Sequence, residues 1–169
     1  MESACCNIEI GNQRFVSASE WKDEIRTDVR EWETKNDWKV PTKTGISLPL
    51  QRWKPLTDNF EFSDQTLVEK RVYSTHLGGN VYCTVKANSV CIDMRQHWLP
   101  PNQTEVVPTK KGITLRPMKY TKLKDEAALI GDFVPELNSI VPCPYIPDHL
   151  NQVGLLKCSV CNPCHCADW

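Results

Sequence analysis

The sequence predicts an α+β protein made of two tandem units, each a set of short strands followed by a helix. Three observations carry that prediction. Gly11 and Gly78 lie 67 residues apart, and so do Gly45 and Gly112. The same residue types recur between these landmarks: Thr27-Asp28-Val29-Arg30 with Trp32 in the first copy, Ile92-Asp93-Met94-Arg95 with Trp98 in the second. Apolar and polar residues alternate through both stretches, and each copy then reaches a proline that suits a helix start, Pro49 or Pro117. One period shared by several landmarks marks a duplicated unit.

The elements follow in order. In the first strand of each copy, Val16 and Ala18 correspond to Cys83 and Val85 and face inward. Phe15 and Tyr82 then fall on the opposite, polar face beside Ser17 and Thr84. In the second strand, Ile25, Thr27 and Val29 alternate with Arg26, Asp28 and Arg30; in the other copy Val90, Ile92 and Met94 alternate with Cys91, Asp93 and Arg95. Polar, proline-bearing connectors (33–41 and 100–108) lead to a short Gly-Ile-Ser/Thr-Leu strand, where Gly45 and Gly112 are expected to take a backbone conformation that a Cβ opposes. The second helix is expected from about Pro117 to Ile130, with Met118, Leu123, Ala127 and Ile130 as its apolar stripe. Pro55 shortens or bends the first. The resulting division is a first repeat at 7–60, a linker at 61–74, a second, basic repeat at 75–134, and a Pro/Cys-rich tail at 135–169.

Composition narrows the function. With 40% apolar residues and six Trp among 169 residues, the chain is expected to fold. The opening Met1-Glu2-Ser3-Ala4-Cys5-Cys6 has neither a basic region nor an apolar run, and no stretch approaches membrane-span length. A reducing intracellular setting with no membrane partner is therefore expected, and its nine Cys are read as thiols or metal ligands. The net charge of −1 conceals a strong asymmetry: residues 70–124 carry +8, while residues 7–60 are neutral. A basic module suggests an anionic partner, against the plainer reading of a solvated surface. There is no Gly-rich phosphate loop and no nucleophile motif, so the chain is not expected to be an enzyme.

The ordered set Ile-Gly-x-x-Arg-Phe-Val-Ser, Asp-Val-Arg-Glu-Trp and Lys-x-Gly-Ile-Ser-Leu resembles the single-stranded-DNA-binding domain of the positive cofactor 4 transcriptional coactivators. The resemblance runs from about Ile8 to Leu56 and again from about His76 to Leu129. It implies a curved four-stranded antiparallel sheet plus a C-terminal helix in each copy, a β-β-β-β-α unit. Family members pair as homodimers, so two units in one chain imply an intramolecular pseudo-dimer. It also implies single-stranded DNA and transcription machinery proteins as partners, in the nucleus or a viral intracellular setting. Trp21 occupies the position of a DNA-contacting aromatic in a strand-connecting loop, and the second copy has no counterpart.

Single strands are held by basic grooves along the backbone and by aromatic rings on which bases stack. The stacking candidates are Trp21, Trp32 and Trp98, with Phe15 and Tyr82; the phosphate candidates are Arg14, Lys22, Arg30, Lys43, Lys86, Arg95, Lys110 and Lys111. Each has a plainer alternative. The Trp residues could be packing residues, and Arg30 and Arg95 could pair with Asp28 and Asp93 two residues earlier. An alternative function is a protein-interaction module with weakened nucleic-acid binding and a zinc-binding tail.

No cofactor is expected to be required. The tail nevertheless places Cys158, Cys161, Cys164 and Cys166 around His165, ligand types that suit tetrahedral zinc. Structural zinc sites normally use two ligand pairs separated by a loop, and Cys143 and His149 could supply a distant half. The plainer reading is a solvated tail of reduced thiols.

Overall fold

The computed structural model describes residues 3–86, 91–149 and 152–164. Two four-stranded antiparallel sheets follow one another, each with strands in chain order. The first holds β1 (Ser3–Gly11), β2 (Arg14–Trp21), β3 (Glu24–Lys35) and β4 (Trp38–Pro49); the second holds β5 (Tyr73–Gly78), β6 (Val81–Lys86), β7 (Cys91–Trp98) and β8 (Val107–Leu115). The helices are α1 (Leu50–Asp58), α2 (Phe60–Val68), α3 (Pro117–Phe133) and α4 (Gln152–Lys157). The expected α+β architecture of tandem units is present. No helix among the described residues is long and apolar enough to cross a membrane.

Two-residue turns set the hairpins. Asn12-Gln13, Lys22-Asp23 and Asn36-Asp37 all have positive φ, as do Gly79 and Asn80. Two consecutive left-handed residues match the twist of the flanking strands, which fixes register. Alternation then sends Val16, Ala18 and Val29 to one face, with Val85, Ile92 and Met94 doing the same in the second sheet. These side chains join Trp53, Leu56, Tyr120, Leu123 and Ile130 of the helices in a single core that draws on both units.

The units are interlocked. Edge strands β4 and β8 lie against each other, and α3 packs on β1 and β2 of the first unit as well as on β7 and β8 of its own. In return α1 touches β5 and α2 touches β6. Tyr120 donates from its hydroxyl to the Phe60 carbonyl, and the Lys124 ammonium meets both Asp64 oxygens at 2.8–2.9 Å.

Several expectations need correction. The stretch 61–74, expected as a linker, carries α2 through Val68; Pro55 sits inside α1, and the chain restarts as a helix after Asn59. Met118 is 87% exposed, and Tyr120 takes its place on the buried stripe of α3. Gly45 and Gly112 do not have positive φ. Their role is close approach: a Cβ on Gly112 would lie 2.5 Å from the Met94 carbonyl oxygen, and one on Gly45 would lie 2.8 Å from the Arg30 Cα. Val90 and Cys166 lie outside the described residues.

Candidate nucleic-acid interface

The face of each sheet turned away from the helices carries the same arrangement twice. Phe15 pairs across the strands with Arg30, which faces Gly45; Tyr82 pairs with Arg95, which faces Gly112. Both third strands have an irregularity in their pairing with the fourth directly after the arginine. The extra residues lie on β4 and β8, so alternation along β3 and β7 continues and keeps the ring two residues after the arginine on the open face, where Trp32 meets Phe15 edge-on at 6.0 Å between ring centroids. In the second sheet His97 meets Tyr82 at 4.7 Å, and His76 closes on the other side of Tyr82 at 4.9 Å. Matching backbone bonds hold the two rings: the Trp32 N–H donates to the Gln13 carbonyl and the His97 N–H to the Asn80 carbonyl, each at 2.7 Å.

His97 is therefore the structural counterpart of Trp32, in place of Trp98. Trp98 follows His97 in the strand and points the other way, half exposed. Alternation alone gives this, since His97 stands two residues after Arg95 just as Trp32 stands two after Arg30, whereas Trp98 stands three after; matching tryptophan to tryptophan by residue type overrides that spacing.

The charged candidates divide in the same manner. Arg30 donates to the Thr42 carbonyl at 2.9 Å and stands 3.5 Å from Asp28. Arg95 donates to the Thr109 carbonyl and to both oxygens of Asp93, a carboxylate only 3% exposed that also accepts from the Thr114 hydroxyl. The alternative raised for these arginines, pairing with the aspartate two residues earlier, is present in both sheets. Lys86 and Lys110 join Arg95 and His97 in lining an open groove of about 570 Å³. Lys43 holds the position on β4 that Lys110 holds on β8, two residues before the close-approach glycine, and is exposed.

Arg14 and Lys111 fall on the other side. Arg14 pairs with Glu31 at 3.5 Å and lies near Lys119 of α3, whose pKa is lowered first by burial and then by the Arg14 charge. Lys111 is exposed but alternates with Lys110, so it points away from the groove. Much of the +8 charge is likewise directed elsewhere: Lys122 pairs with Glu126, Lys124 with Asp64 and Arg71 with Glu69.

At the rim of the first sheet, Trp21 is 47% exposed and the Lys22 ammonium sits 4.2 Å from the center of its ring. Trp38, which the sequence reading passed over, is 76% exposed at the tip of the β3–β4 hairpin, and the neighbouring Lys39 reaches over the Phe15 ring at 5.0 Å. The available signal was a tryptophan directly after an Asn-Asp turn, where no core can receive it.

The tail brings together a set of thiols different from the expected one. Cys158 and Cys161 converge with Cys143 and His149, all four ligand atoms lying within 4.8 Å of one another. Cys164 stands apart and accepts from the Asn80 amide at 3.3 Å. Burial pushes the Cys158 thiol up, but backbone N–H groups of Cys161 and Val160 and the neighbouring thiols outweigh it and bring it down to about 7.

Residues 8–59 match the family described as Transcriptional Coactivator p15 (PC4). A 62-residue stretch is 36% identical to the RNA polymerase II transcriptional coactivator KIWI of Arabidopsis thaliana, covering 37% of this chain and 56% of that protein. The chain thus spans little more than half the length of that curated relative. No solved structure matches the chain.

Proposed function

We propose that this chain, whose residues 8–59 carry the Transcriptional Coactivator p15 (PC4) domain, binds single-stranded DNA across the open faces of both units and serves as a transcriptional coactivator. The observation that carries the reading is the repeated arrangement of an edge-on ring pair beside an arginine: Phe15 and Trp32 with Arg30, Tyr82 and His97 with Arg95. Phe15 is itself buried and backs Trp32, while Trp32, Tyr82 and His97 are part-exposed; unpaired bases can reach those three rings, whereas a duplex keeps its bases stacked inside. Trp21 with Lys22 and Trp38 with Lys39 extend the first face at its rim, while Lys43, Lys86 and Lys110 offer charge to phosphates. Contact between β4 and β8, with α3 packed on β1 and β2, supports reading the units as an intramolecular pseudo-dimer. The setting is nuclear, or intracellular for a viral chain, with transcription machinery proteins as further partners.

The test is fluorescence anisotropy of a labelled oligo-dT strand and of the matching duplex at two salt concentrations. Tighter binding of the single strand is expected, with log affinity falling linearly against log salt as counterions are released. Equal affinity for both forms, or no salt dependence, overturns the reading. A second reading, a protein-interaction module, is favoured by one observation: Asp28 and Asp93 neutralise the central arginine of each face. That reading predicts weak oligonucleotide binding with no preference for the single strand.

A further inference from the structure

We propose that Cys143, His149, Cys158 and Cys161 form a structural zinc site that fastens the tail to the body of the protein. The four ligands come as two pairs. Cys143 and His149 lie in consecutive 3-10 turns, Cys158 and Cys161 in the turn after α4, and α4 occupies the loop between the pairs. That loop is what the contiguous set expected from the sequence lacked.

Distances fit the metal. Tetrahedral geometry with Zn–S of about 2.3 Å and Zn–N of about 2.0–2.1 Å places sulfur atoms about 3.8 Å apart and sulfur and nitrogen about 3.6 Å apart. The Cys143 and Cys158 Sγ atoms are 3.5 Å apart. His149 Nδ1 lies 3.4 Å from the Cys143 Sγ and 3.5 Å from the Cys161 Sγ. The same nitrogen lies 2.6 Å from the Cys143 carbonyl, a contact the ring exchanges for the metal. The Cys161 N–H points at the Cys158 Sγ from 3.4 Å, as a thiolate held in a tight Cys-x-x-Cys turn requires. Three thiolates and one Zn²⁺ leave a single negative charge, and the half-buried Arg52 guanidinium is close enough to Cys143 to offset it.

The site has a mechanical role. Val160, between the second pair of ligands, accepts from the Gly79 N–H at 2.7 Å, and its side chain fills the space where Gly78 has no Cβ. The next residue of that turn, Asn80, accepts the His97 N–H that orients the open-face ring. Metal binding therefore stiffens a turn reaching from the tail to the second sheet.

The test uses the full chain purified under reducing conditions. Metal analysis should find one zinc per chain, lost when Cys158 and Cys161 are both changed to Ser and kept in Cys164→Ser. Because the double variant could unfold, the wild-type protein is also loaded with cobalt, which should give tetrahedral ligand-field bands with intense sulfur-to-cobalt charge transfer. Metal-free wild-type protein, another bound metal, zinc retained in the double variant, zinc lost in Cys164→Ser, or an octahedral cobalt spectrum each overturns the proposal.

Discussion

Gly112→Ala isolates the close approach of β8 to β7. A methyl group there would sit 2.5 Å from the Met94 carbonyl oxygen and 2.8 Å from both the Cα and Cβ of Arg95. Two of those neighbours are backbone, so rotating a side chain cannot relieve the overlap. The strand pair must separate by roughly 1 Å to reach ordinary contact distance, and overpacking of this kind costs about 1–3 kcal/mol. Because Gly112 does not have positive φ, conformational strain adds nothing to that figure. At about 2–4 °C per kcal/mol for a chain of this size, the melting temperature should fall by about 2–12 °C. Gly131→Ala supplies the control, since its new methyl meets nothing within 4 Å and the residue lies in the last turn of α3. There, relief of glycine's backbone entropy should raise stability by about 0.5 kcal/mol. Thermal denaturation followed by circular dichroism reads both. An unchanged or raised melting temperature for Gly112→Ala, or a large fall for Gly131→Ala, refutes the reasoning.

Three further outcomes are expected. Lys110→Ala should weaken oligo-dT binding and reduce the salt slope by about 0.7, whereas Lys111→Ala should change neither; a salt titration of both variants distinguishes facing from net charge. Trp32→Ala should remove about 1–3 kcal/mol of stacking, a rise in Kd of about 5–150-fold, and Trp32→Phe should recover much of it in the same anisotropy assay. Burial, then the Arg52 charge, holds the His76 pKa below its usual value, and the Asn80 N–H donates to its Nε2. The unfolded state therefore binds the extra proton first, so the contribution of His76 to stability is full above pH 6.5 and declines as pH falls below it; denaturant melts from pH 7.5 to 5.5 should show a loss that His76→Gln lacks.

Much of the fold could be read from local pattern, because alternation and turn chemistry act over a few residues. The inward set Val16, Ala18, Val29, Cys83 and Val85 is buried as its spacing required, and Pro117 begins α3. Cys6, Ile8 and Ile10 alternate with Asn7 and Glu9 along β1, a strand pattern legible over five residues. Trp98 was matched to Trp32 by residue type although it stands three residues after its arginine and not two, so alternation gives that place to His97. Arg14 was misplaced for a related reason: adjacency to Phe15 in the chain means opposite faces in a strand. The tail quartet joins residues 3 to 18 positions apart through 3-10 turns that have no hydrophobic period. Its ligand types were visible in the sequence, and so was Cys143 with His149 as a distant half; that this half joins Cys158 and Cys161 while Cys164 stands apart was not.

The covalent joining of the two units has a consequence for their symmetry. In a dimer of identical chains, every substitution appears on both halves. Here it appears once. Trp32 can thus answer to His97, and a neutral sheet can abut a basic one, with β4 and β8 still in contact. A strand of nucleic acid has polarity, and a surface whose two ends differ can distinguish one direction from the other.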